Sequence, residues 1–240
     1  MKCMAIPKII HYVWVGGNRK SKDIQRCMRT WKENLTDYEI IEWNEENFDI
    51  ESNKFVKEAY EAKKWAYVSD YIRAYAIYNY GGIYLDTDVL VVDNLEDLLE
   101  NKAFVGYENP NYPFTAVFGA EKKHPFIKKI LDYYDGISFE FDVNDQYKAV
   151  NTKTVSDILI EDYNCELGNK EQVLDDGIKV YKDTVLCNPS VESKTIHIFT
   201  GTWLEGKSNF VKNINRFIKL RLTSKSRLKL YSAYRNSKSR

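Results

Sequence analysis

Residues 65–92 of the 240-residue chain, WAYVSDYIRAYAIYNYGGIYLDTDVLVV, contain its strongest fold signal. Apolar side chains at helical spacing predict a helix from Trp65 to Tyr80, and Gly81-Gly82 ends it because glycine tolerates left-handed backbone geometry. Ile83 to Leu85 is predicted to form a strand, and the apolar run resumes from Val89 to Val92. The two carboxylates between these apolar segments are costly to bury unless a cation lies nearby. The stretch therefore predicts a helix, a strand and a charged site where the strand ends.

The residues before this stretch predict a strand, a helix and a second strand. Ile6 to Val15 is rich in β-branched and aromatic residues, Ser21 to Leu35 has helical spacing, and Tyr38 to Trp43 is a short apolar run. This order is typical of a βαβ unit and favours a sheet with helices on its faces. Further helices are predicted over 125–134 and 152–163, and further strands over 178–181 and 195–199.

The charge of the chain is zero overall but unevenly distributed. Thirty-five Lys and Arg residues balance 35 Asp and Glu residues, which excludes a whole-protein field that would gather nucleic acid. From Gly206 to Arg240 there are 11 Lys or Arg residues and no Asp or Glu, so residues 1–205 carry a net charge of −11. We therefore predict a domain over 1–205 and a basic tail over 206–240, beginning with an amphipathic helix from Asn209 to Leu222.

The sequence leaves two alternatives for where the tail lies. It lies either on an anionic membrane surface or packed on the acidic body, followed by a frayed end. No nucleic acid is expected as a partner, because no recognition module accompanies the charge.

No apolar run reaches the roughly 18 residues of a membrane span, and the amino terminus lacks signal-peptide features. Four scattered cysteines without a C-x-x-C pair are expected to be free thiols. We therefore expect a cytoplasmic protein, which the tail would attach to the inner face of the membrane in the first of the two alternatives.

Asp86 and Asp88 are the first candidate site residues. On an extended backbone, residues two apart share a face, so both carboxylates would approach one ion while Thr87 points away. Such oxygen ligands suit Mg²⁺ or Mn²⁺, which bridge to a diphosphate. The alternative is a pair of acids in an exposed turn.

Asp70 and Arg73, three apart on the preceding helix, are the second pair of candidates. They either bind sugar hydroxyls and phosphate beside the ion or form an ordinary surface ion pair.

The spacing of Ser-Asp-x-x-Arg before Gly-Gly-x-Tyr-x-Asp-x-Asp resembles the signature of the DXD sugar-transferase family, glycosyltransferase family 32 type. That family includes capsular-polysaccharide transferases and yeast initiating mannosyltransferases, and it is related to the clostridial glucosylating toxins. IPKIIHYVWVGG (6–17), YEIIEWNEENFD (38–49) and TIHIFTGTW (195–203) resemble its opening strand, second strand and closing motif. The resemblance implies an α/β fold of the GT-A type, with a mixed central sheet and helices on both faces.

The resemblance also implies site residues. It places the donor against Trp14, Val15, Ser69, Asp70, Arg73, Tyr84 and Trp203, with Asp70, Arg73, Asp86 and Asp88 as the catalytic residues and Mn²⁺ or Mg²⁺ on Asp86 and Asp88. The closing motif departs from relatives that have two adjacent histidines, since this chain has His197-Ile198. Either His197 completes the metal shell, or Ile198 has replaced the ligand and Thr200, Thr202 or water takes its place. His11 and His124 are expected to be structural.

The expected activity is metal-dependent, retaining transfer of a hexose or N-acetylhexosamine from a UDP-sugar to a glycan or lipid-linked glycan acceptor in capsular or surface polysaccharide synthesis. A GDP-mannose-dependent mannosyltransferase is the second possibility within the family. A haloacid-dehalogenase-like phosphatase is the alternative from another class, with Asp86 as nucleophile and Asp88 as acid/base. It leaves the Ser69-Asp70-x-x-Arg73 motif unexplained.

Overall fold

The computed structural model describes residues 5–140, 151–201 and 210–238. Its strands are β1 (Ile9–Val13), β2 (Glu39–Trp43), β3 (Gly82–Leu85), β4 (Val89–Val91), β5 (Ala103–Gly106), β6 (Val117–Ala120), β7 (Gln172–Val173), β8 (Ile178–Tyr181) and β9 (Thr195–His197). Its α-helices are α1 (Lys22–Asn34), α2 (Lys54–Glu61), α3 (Trp65–Tyr80), α4 (Pro125–Tyr134), α5 (Asn151–Tyr163), α6 (Asp183–Leu186), α7 (Phe210–Lys219) and α8 (Lys225–Lys238). None of the described helices is both long and apolar enough to cross a membrane.

Seven strands form one mixed sheet in the order β2-β1-β3-β6-β5-β8-β7. Strand β1 is parallel to both β2 and β3, and β5 is parallel to β8, whereas β6 runs antiparallel to β3 and β5. Strands β4 and β9 form a separate antiparallel pair. The predicted mixed α/β sheet is therefore confirmed.

Helices cover both faces of the sheet because side chains along each strand alternate between the faces. Ile83 and Leu85 of β3 face a core that also holds Trp31 of α1 and Val89 and Val91 of β4. Tyr84, between them in the chain, faces the opposite core, which is built from α2, α3, α4 and α5. The sheet is thus buried on both sides, as the resemblance implied.

Helix α3 has the predicted bounds, Trp65–Tyr80, and its end is fixed by two glycines. Gly81 and Gly82 have φ of +70° and +112°, a region that side-chain-bearing residues rarely adopt. A Cβ on Gly82 would also lie 2.6 Å from the carbonyl oxygen of Ile9. This close approach lets β3 pair with β1 directly after the helix.

His11 and His124 have the structural roles that the sequence predicts. The Trp43 indole donates to Nδ1 of His11 at 3.0 Å. Because Nδ1 accepts, Nε2 bears the proton and donates to the carbonyl of Gly81 at 2.8 Å. Burial lowers the pKa of His11 to about 4, so the ring is neutral near pH 7. His124 caps α4, where its Nδ1 accepts from the backbone N–H of Phe126.

The basic tail contains two helices rather than the one predicted from 209 to 222. Helix α7 ends at Lys219, and α8 follows after a short turn. Leu220, Leu222 and Leu228 are buried in a third core together with Leu90 of β4 and Ile196 of β9. The tail therefore packs on the body through these leucines.

The three cysteines within the described ranges are free and buried: Cys27, Cys165 and Cys187. Cys3 lies outside those ranges.

Candidate active site

The candidate site lies at the edge of the sheet where β1, β2 and β3 end. These three strands are adjacent and parallel, so the segments after their carboxyl ends meet at one edge. The segments begin at Trp14, Asn44 and Asp86. Sequence motifs that are more than 70 residues apart in the chain are thereby brought to one place.

The Asp86-Thr87-Asp88 segment is a turn, and the prediction of an extended backbone was wrong. The amide of Val89 donates to the carbonyl of Asp86 at 3.0 Å, which closes the turn. The chain has to turn here because β3 pairs within the seven-stranded sheet, whereas β4 leaves it to pair with β9. Both carboxylates still approach one point, as predicted. The turn causes this approach, and the alternation of side chains along a strand does not.

Asp86, Asp88 and His197 form a cluster that could hold a metal ion. One ligand atom from each residue lies within 4.8 Å of the others, and Nε2 of His197 is 3.3 Å from Oδ1 of Asp88. The register of the short sheet explains this approach, because His197 is paired with Val89, the residue after Asp88. Two carboxylates and an imidazole are a donor set that suits Mn²⁺ or Mg²⁺.

Ile198 and Thr200 of the closing motif are oriented differently from His197. Ile198 is buried in the third core with 2% exposure. Thr200 donates to Oδ2 of Asp88 through its backbone N–H at 2.8 Å and through its hydroxyl at 3.0 Å. Of the two alternatives left by the sequence, the geometry favours His197 as the nitrogen ligand and gives Thr200 the role of orienting Asp88.

The charges of the cluster shift its pKa values in opposite directions. Burial alone would raise the pKa of Asp88, but the charge of His197 and hydrogen bonds from His197 and Thr200 outweigh it and lower the pKa to about 2. Burial would lower the pKa of His197, but Asp88 raises it well above its usual value. Burial raises the pKa of Asp86, against the opposing charges of Arg73 and His197. Asp88 is therefore held ionised, and it attracts positive charge to this point.

Arg73 is buried beside the cluster, so the alternative of an ordinary surface ion pair is wrong. Its Nη2 lies 2.7 Å from Oδ1 of Asp70 and its Nη1 lies 3.7 Å from Oδ1 of Asp86. The Arg73 side chain is 7% exposed and that of Asp70 is 14% exposed, whereas Asp86 remains 30% exposed. The guanidinium thus bridges the two acids from within the protein, while Asp86 is open to solvent.

Aromatic rings and an amide complete the surroundings of Arg73. Its guanidinium lies 5.5–6.0 Å from the ring centres of Tyr84, Phe114 and Phe118. Nη2 also donates to Oδ1 of Asn151, whose amide in turn donates to the Tyr134 hydroxyl. Sequence reasoning missed Asn151, because it is 78 residues from Arg73 and no motif surrounds it.

Ser69 and Tyr84 are less available than the resemblance implied. The Ser69 hydroxyl donates to the carbonyl of Ala66 within α3 at 2.6 Å, and Tyr84 is 2% exposed beneath Arg73. Tyr84 therefore supports Arg73 from the core. Trp203, the last predicted donor contact, lies outside the described residues.

Trp14 lines an open cavity of about 510 Å³ after β1 and β2. Its indole donates to the carbonyl of Asn18 at 2.7 Å, and Nζ of Lys20 lies 5.1 Å from its ring centre. The Val15 side chain is buried in the core, so only its backbone could meet a ligand. The amide of Gly16 donates to Glu45 at 2.6 Å. The cavity has room for a planar ring on Trp14.

Two further charged residues near the cluster were missed by the sequence analysis. Lys219 of α7 donates to the carbonyl of His197 at 2.8 Å, and its pKa is lowered by burial. Burial also raises the pKa of Glu108, with His197 opposing this shift and Asp86 adding to it. Lys219 is part of the tail, whose basic composition indicated a surface helix and gave no sign of this contact.

Comparison with known proteins finds a family similarity over part of the chain. Residues 21–105 match the family described as "Glycosyltransferase sugar-binding region containing DXD motif". The predicted resemblance to a DXD-containing glycosyltransferase family is confirmed over these residues. The mixed α/β fold class is confirmed by the seven-stranded sheet and the helices that cover it. Asp70, Arg73, Asp86 and Asp88 all lie in the matched region.

Individual relatives are similar over part of their length. Inositol phosphoceramide mannosyltransferase 3 of Schizosaccharomyces pombe is 30% identical over 145 residues, which cover 57% of this chain and 39% of that protein. Mannosyl phosphorylinositol ceramide synthase CSH1 of Saccharomyces cerevisiae is 30% identical over 143 residues, covering 52% of this chain and 34% of that protein. Among solved structures, PaToxG glycosyltransferase has a TM-score of 0.48 at 17% identity, over 65% of this chain and 69% of that chain. The chain spans less than half the length of the two curated relatives.

Proposed function

We propose that this chain is a divalent-cation-dependent glycosyltransferase with a nucleotide-sugar donor. The observation that carries the proposal is the cluster of Asp86, Asp88 and His197, whose ligand atoms lie within 4.8 Å of one another next to buried Arg73. The family match over residues 21–105 supports glycosyl transfer as the reaction.

Asp86, Asp88 and His197 would hold Mn²⁺ or Mg²⁺. The donor set fits once His197 has released the proton that Asp88 favours, since it then combines an ionised carboxylate, a second carboxylate open to solvent and a neutral imidazole nitrogen. When bound, such an ion neutralises charge on the diphosphate of the donor. Thr200 would keep Oδ2 of Asp88 directed away from the ion, because both of its donors bind that oxygen.

Arg73 and Asp70 would bind the donor on the protein side of the ion. The guanidinium adds a fixed positive charge where the leaving diphosphate develops negative charge, which lowers the barrier without reorganisation. Asp70 would accept hydrogen bonds from sugar hydroxyls, and Ser69 and Tyr84 would support this wall. Trp14 would stack on the base with the Val15 backbone beside it, and Trp203 would contact the diphosphate.

We infer retention of anomeric configuration through front-face substitution. The acceptor hydroxyl oxygen bonds to the anomeric carbon while the bond from that carbon to the diphosphate oxygen breaks. The hydroxyl proton passes to the departing diphosphate oxygen on the same face. No covalent nucleophile is assigned, because the carboxylates of the site are paired with Arg73 or would be engaged in holding the ion.

UDP-hexose or UDP-N-acetylhexosamine is the proposed donor, and a glycan or lipid-linked glycan of capsular or surface polysaccharide is the proposed acceptor. We place the activity in the cytoplasm at the inner face of the membrane. A second donor, GDP-mannose, is favoured by the names of the relatives, which include inositol phosphoceramide mannosyltransferases. Mannosyl transfer to a lipid-linked acceptor is therefore the second candidate.

The test is hydrolysis of a panel of nucleotide-sugars with and without Mn²⁺. We expect metal-dependent release of nucleotide diphosphate from one donor class, and loss of that release in the Asp86→Asn/Asp88→Asn double variant, with an unchanged circular dichroism spectrum. Full activity of the double variant would refute the proposal. Release of inorganic phosphate from simple phosphomonoesters would instead support the phosphatase alternative.

A further inference from the structure

The two tail helices carry a surface that the proposed reaction does not use. It combines exposed apolar side chains with three arginines, and we call it the tail surface. Its members are Arg26 of α1, Phe217 of α7, Arg221 between the helices, and Arg227, Leu230 and Tyr234 of α8. None of these residues contributes to the cluster at Asp86.

Helix α7 has two distinct faces. Ile214, Phe217 and Ile218 share one face at helical spacing and are 44%, 57% and 38% exposed. Lys219 points to the other side, where it donates to the carbonyl of His197, and Leu220 follows it into the third core. The apolar face therefore remains uncovered although the helix is docked on the body.

Helix α8 and α1 extend this surface around a shallow cavity of about 550 Å³. Leu230 and Tyr234 at its rim are 73% and 56% exposed, and Leu222 forms part of its wall. Arg221 also lines the cavity and places its guanidinium 3.2 Å from the ring centre of Phe217. The apolar face of α7 and the cavity therefore form one continuous surface.

The charges on this surface are uncompensated by acids. Within the described residues, Arg26, Arg221 and Arg227 form no ion pair with a carboxylate. Arg227 is held in place by donating to the carbonyl of Arg221 at 3.0 Å and to Thr223 at 3.1 Å. No Asp or Glu occurs from 206 to 240, whereas residues 1–205 carry a net charge of −11.

We propose that the tail surface docks on a membrane of anionic phospholipid. The arginines would meet headgroup phosphates, while Phe217 and Leu230 enter the boundary between headgroups and acyl chains, as in interfacial amphipathic helices. Charge complementarity selects this partner, because the acidic body is repelled by the same membrane and so turns away from it. Exposed leucine and phenylalanine between the arginines favour a lipid surface over nucleic acid, which would leave them in water.

Docking in this way would hold the cluster close to the membrane. Lys219 on the opposite side of α7 contacts the backbone of His197, so only about one helix diameter, roughly 10 Å, separates the tail surface from the cluster. An acceptor carried by a lipid would then reach the site without leaving the membrane. The membrane proposal itself does not depend on glycosyl transfer, because it concerns binding alone.

The experiment is vesicle flotation of the full chain. Vesicles of phosphatidylcholine are compared with vesicles of equal parts phosphatidylcholine and phosphatidylglycerol, and we expect binding to the anionic vesicles that weakens as salt is added. The Arg26→Gln/Arg221→Gln/Arg227→Gln variant is expected to lose about a hundredfold in affinity, since each cation near such a surface contributes about fivefold. Phe217→Ser/Leu230→Ser should also weaken binding, but without changing its salt dependence.

A charge-matched control separates this surface from general attraction. Lys54→Gln/Lys128→Gln/Lys153→Gln removes three exposed cations from α2, α4 and α5. The proposal is supported if this control binds vesicles like the wild type while the arginine variant, with an unchanged melting temperature, loses binding. Equal loss in both variants overturns it, as does equal binding to neutral vesicles. Displacement by inorganic phosphate at constant ionic strength, or dimerisation through this surface without vesicle binding, would also overturn it.

Discussion

Nη1 of Arg73 lies 3.7 Å from Oδ1 of Asp86, and this contact joins the middle of α3 to the Asp86-Thr87-Asp88 turn after β3. The same guanidinium holds Asp70 at 2.7 Å. A buried arginine between two acids is stable only as long as all three remain, because each charge would otherwise be buried without a partner. Arg73 therefore has a structural role in addition to the proposed catalytic one.

Replacing Arg73 by leucine should destabilise the protein by about 3–5 kcal/mol, because it leaves Asp70 buried without its partner. The measurement is urea unfolding of Arg73→Leu, Asp70→Asn and the double variant. We expect the double variant to be more stable than the sum of the single changes predicts, since the pair is coupled. Additive losses would show that Arg73 and Asp70 do not stabilise each other.

Thr200→Val should weaken Mn²⁺ binding about tenfold, because groups that orient a metal ligand typically contribute 10–100-fold in affinity. The hydroxyl of Thr200 fixes Oδ2 of Asp88, and the backbone N–H remains in the variant. Titration calorimetry with MnCl₂ measures the change. Thr200→Ser keeps the hydroxyl and should bind Mn²⁺ like the wild type; an equal loss in both variants would contradict the role.

The free energy of unfolding should decrease as the pH falls from about 6.5 to about 4. Burial lowers the pKa of His11 to about 4 in the folded state, whereas the unfolded residue titrates near 6.5. As the pH falls, the unfolded state therefore binds a proton before the folded state does. The free energy of unfolding decreases by up to about 3 kcal/mol from its value above pH 6.5. His11→Gln should be less stable at pH 7 and should show a shallower slope. Unfolding in urea at several pH values measures this, and an unchanged slope in the variant would contradict the assignment.

Gly82→Ala should destabilise the protein strongly, by about 2 kcal/mol or more. The new Cβ would meet the carbonyl oxygen of Ile9 at 2.6 Å, and φ is +112°. Gly17→Ala is the matched control, because Gly17 also has positive φ, +66°, but no atom lies within 4 Å of its Cβ position. Thermal unfolding should show a smaller loss for Gly17→Ala, of about 1 kcal/mol. Equal losses would contradict the close approach of β3 to β1.

The sequence predicted the elements around the site because each has a local signal. Helix α3 and its glycine end follow from apolar spacing and from Gly81-Gly82, and the structural roles of His11 and His124 follow from their positions in a strand and at a helix start. Family resemblance supplied His197 as one of two possibilities, and the register of β4 with β9 brings His197 beside Asp88.

Features that depend on contacts between distant residues were missed. Nothing near Asn151 in the chain indicates that it binds Arg73, and nothing in the tail indicates that Lys219 reaches His197. The Asp86-Thr87-Asp88 segment was predicted to be extended because both of its flanks are apolar. The flanks are strands of two different sheets, and the chain turns between them. Helix α8 has apolar residues on several sides, so its spacing gives only a weak amphipathic pattern.

The central claim is that Asp86, Asp88 and His197 bind one divalent cation that the donor requires. Calorimetric titration of Mn²⁺, alone and with the nucleoside diphosphate of the hydrolysed donor, tests it most directly. We expect one Mn²⁺ per wild-type chain, tighter binding in the presence of the diphosphate, and no measurable binding in Asp86→Asn/Asp88→Asn. One tight Mn²⁺ in the double variant, or diphosphate binding that is indifferent to Mn²⁺, would contradict the claim.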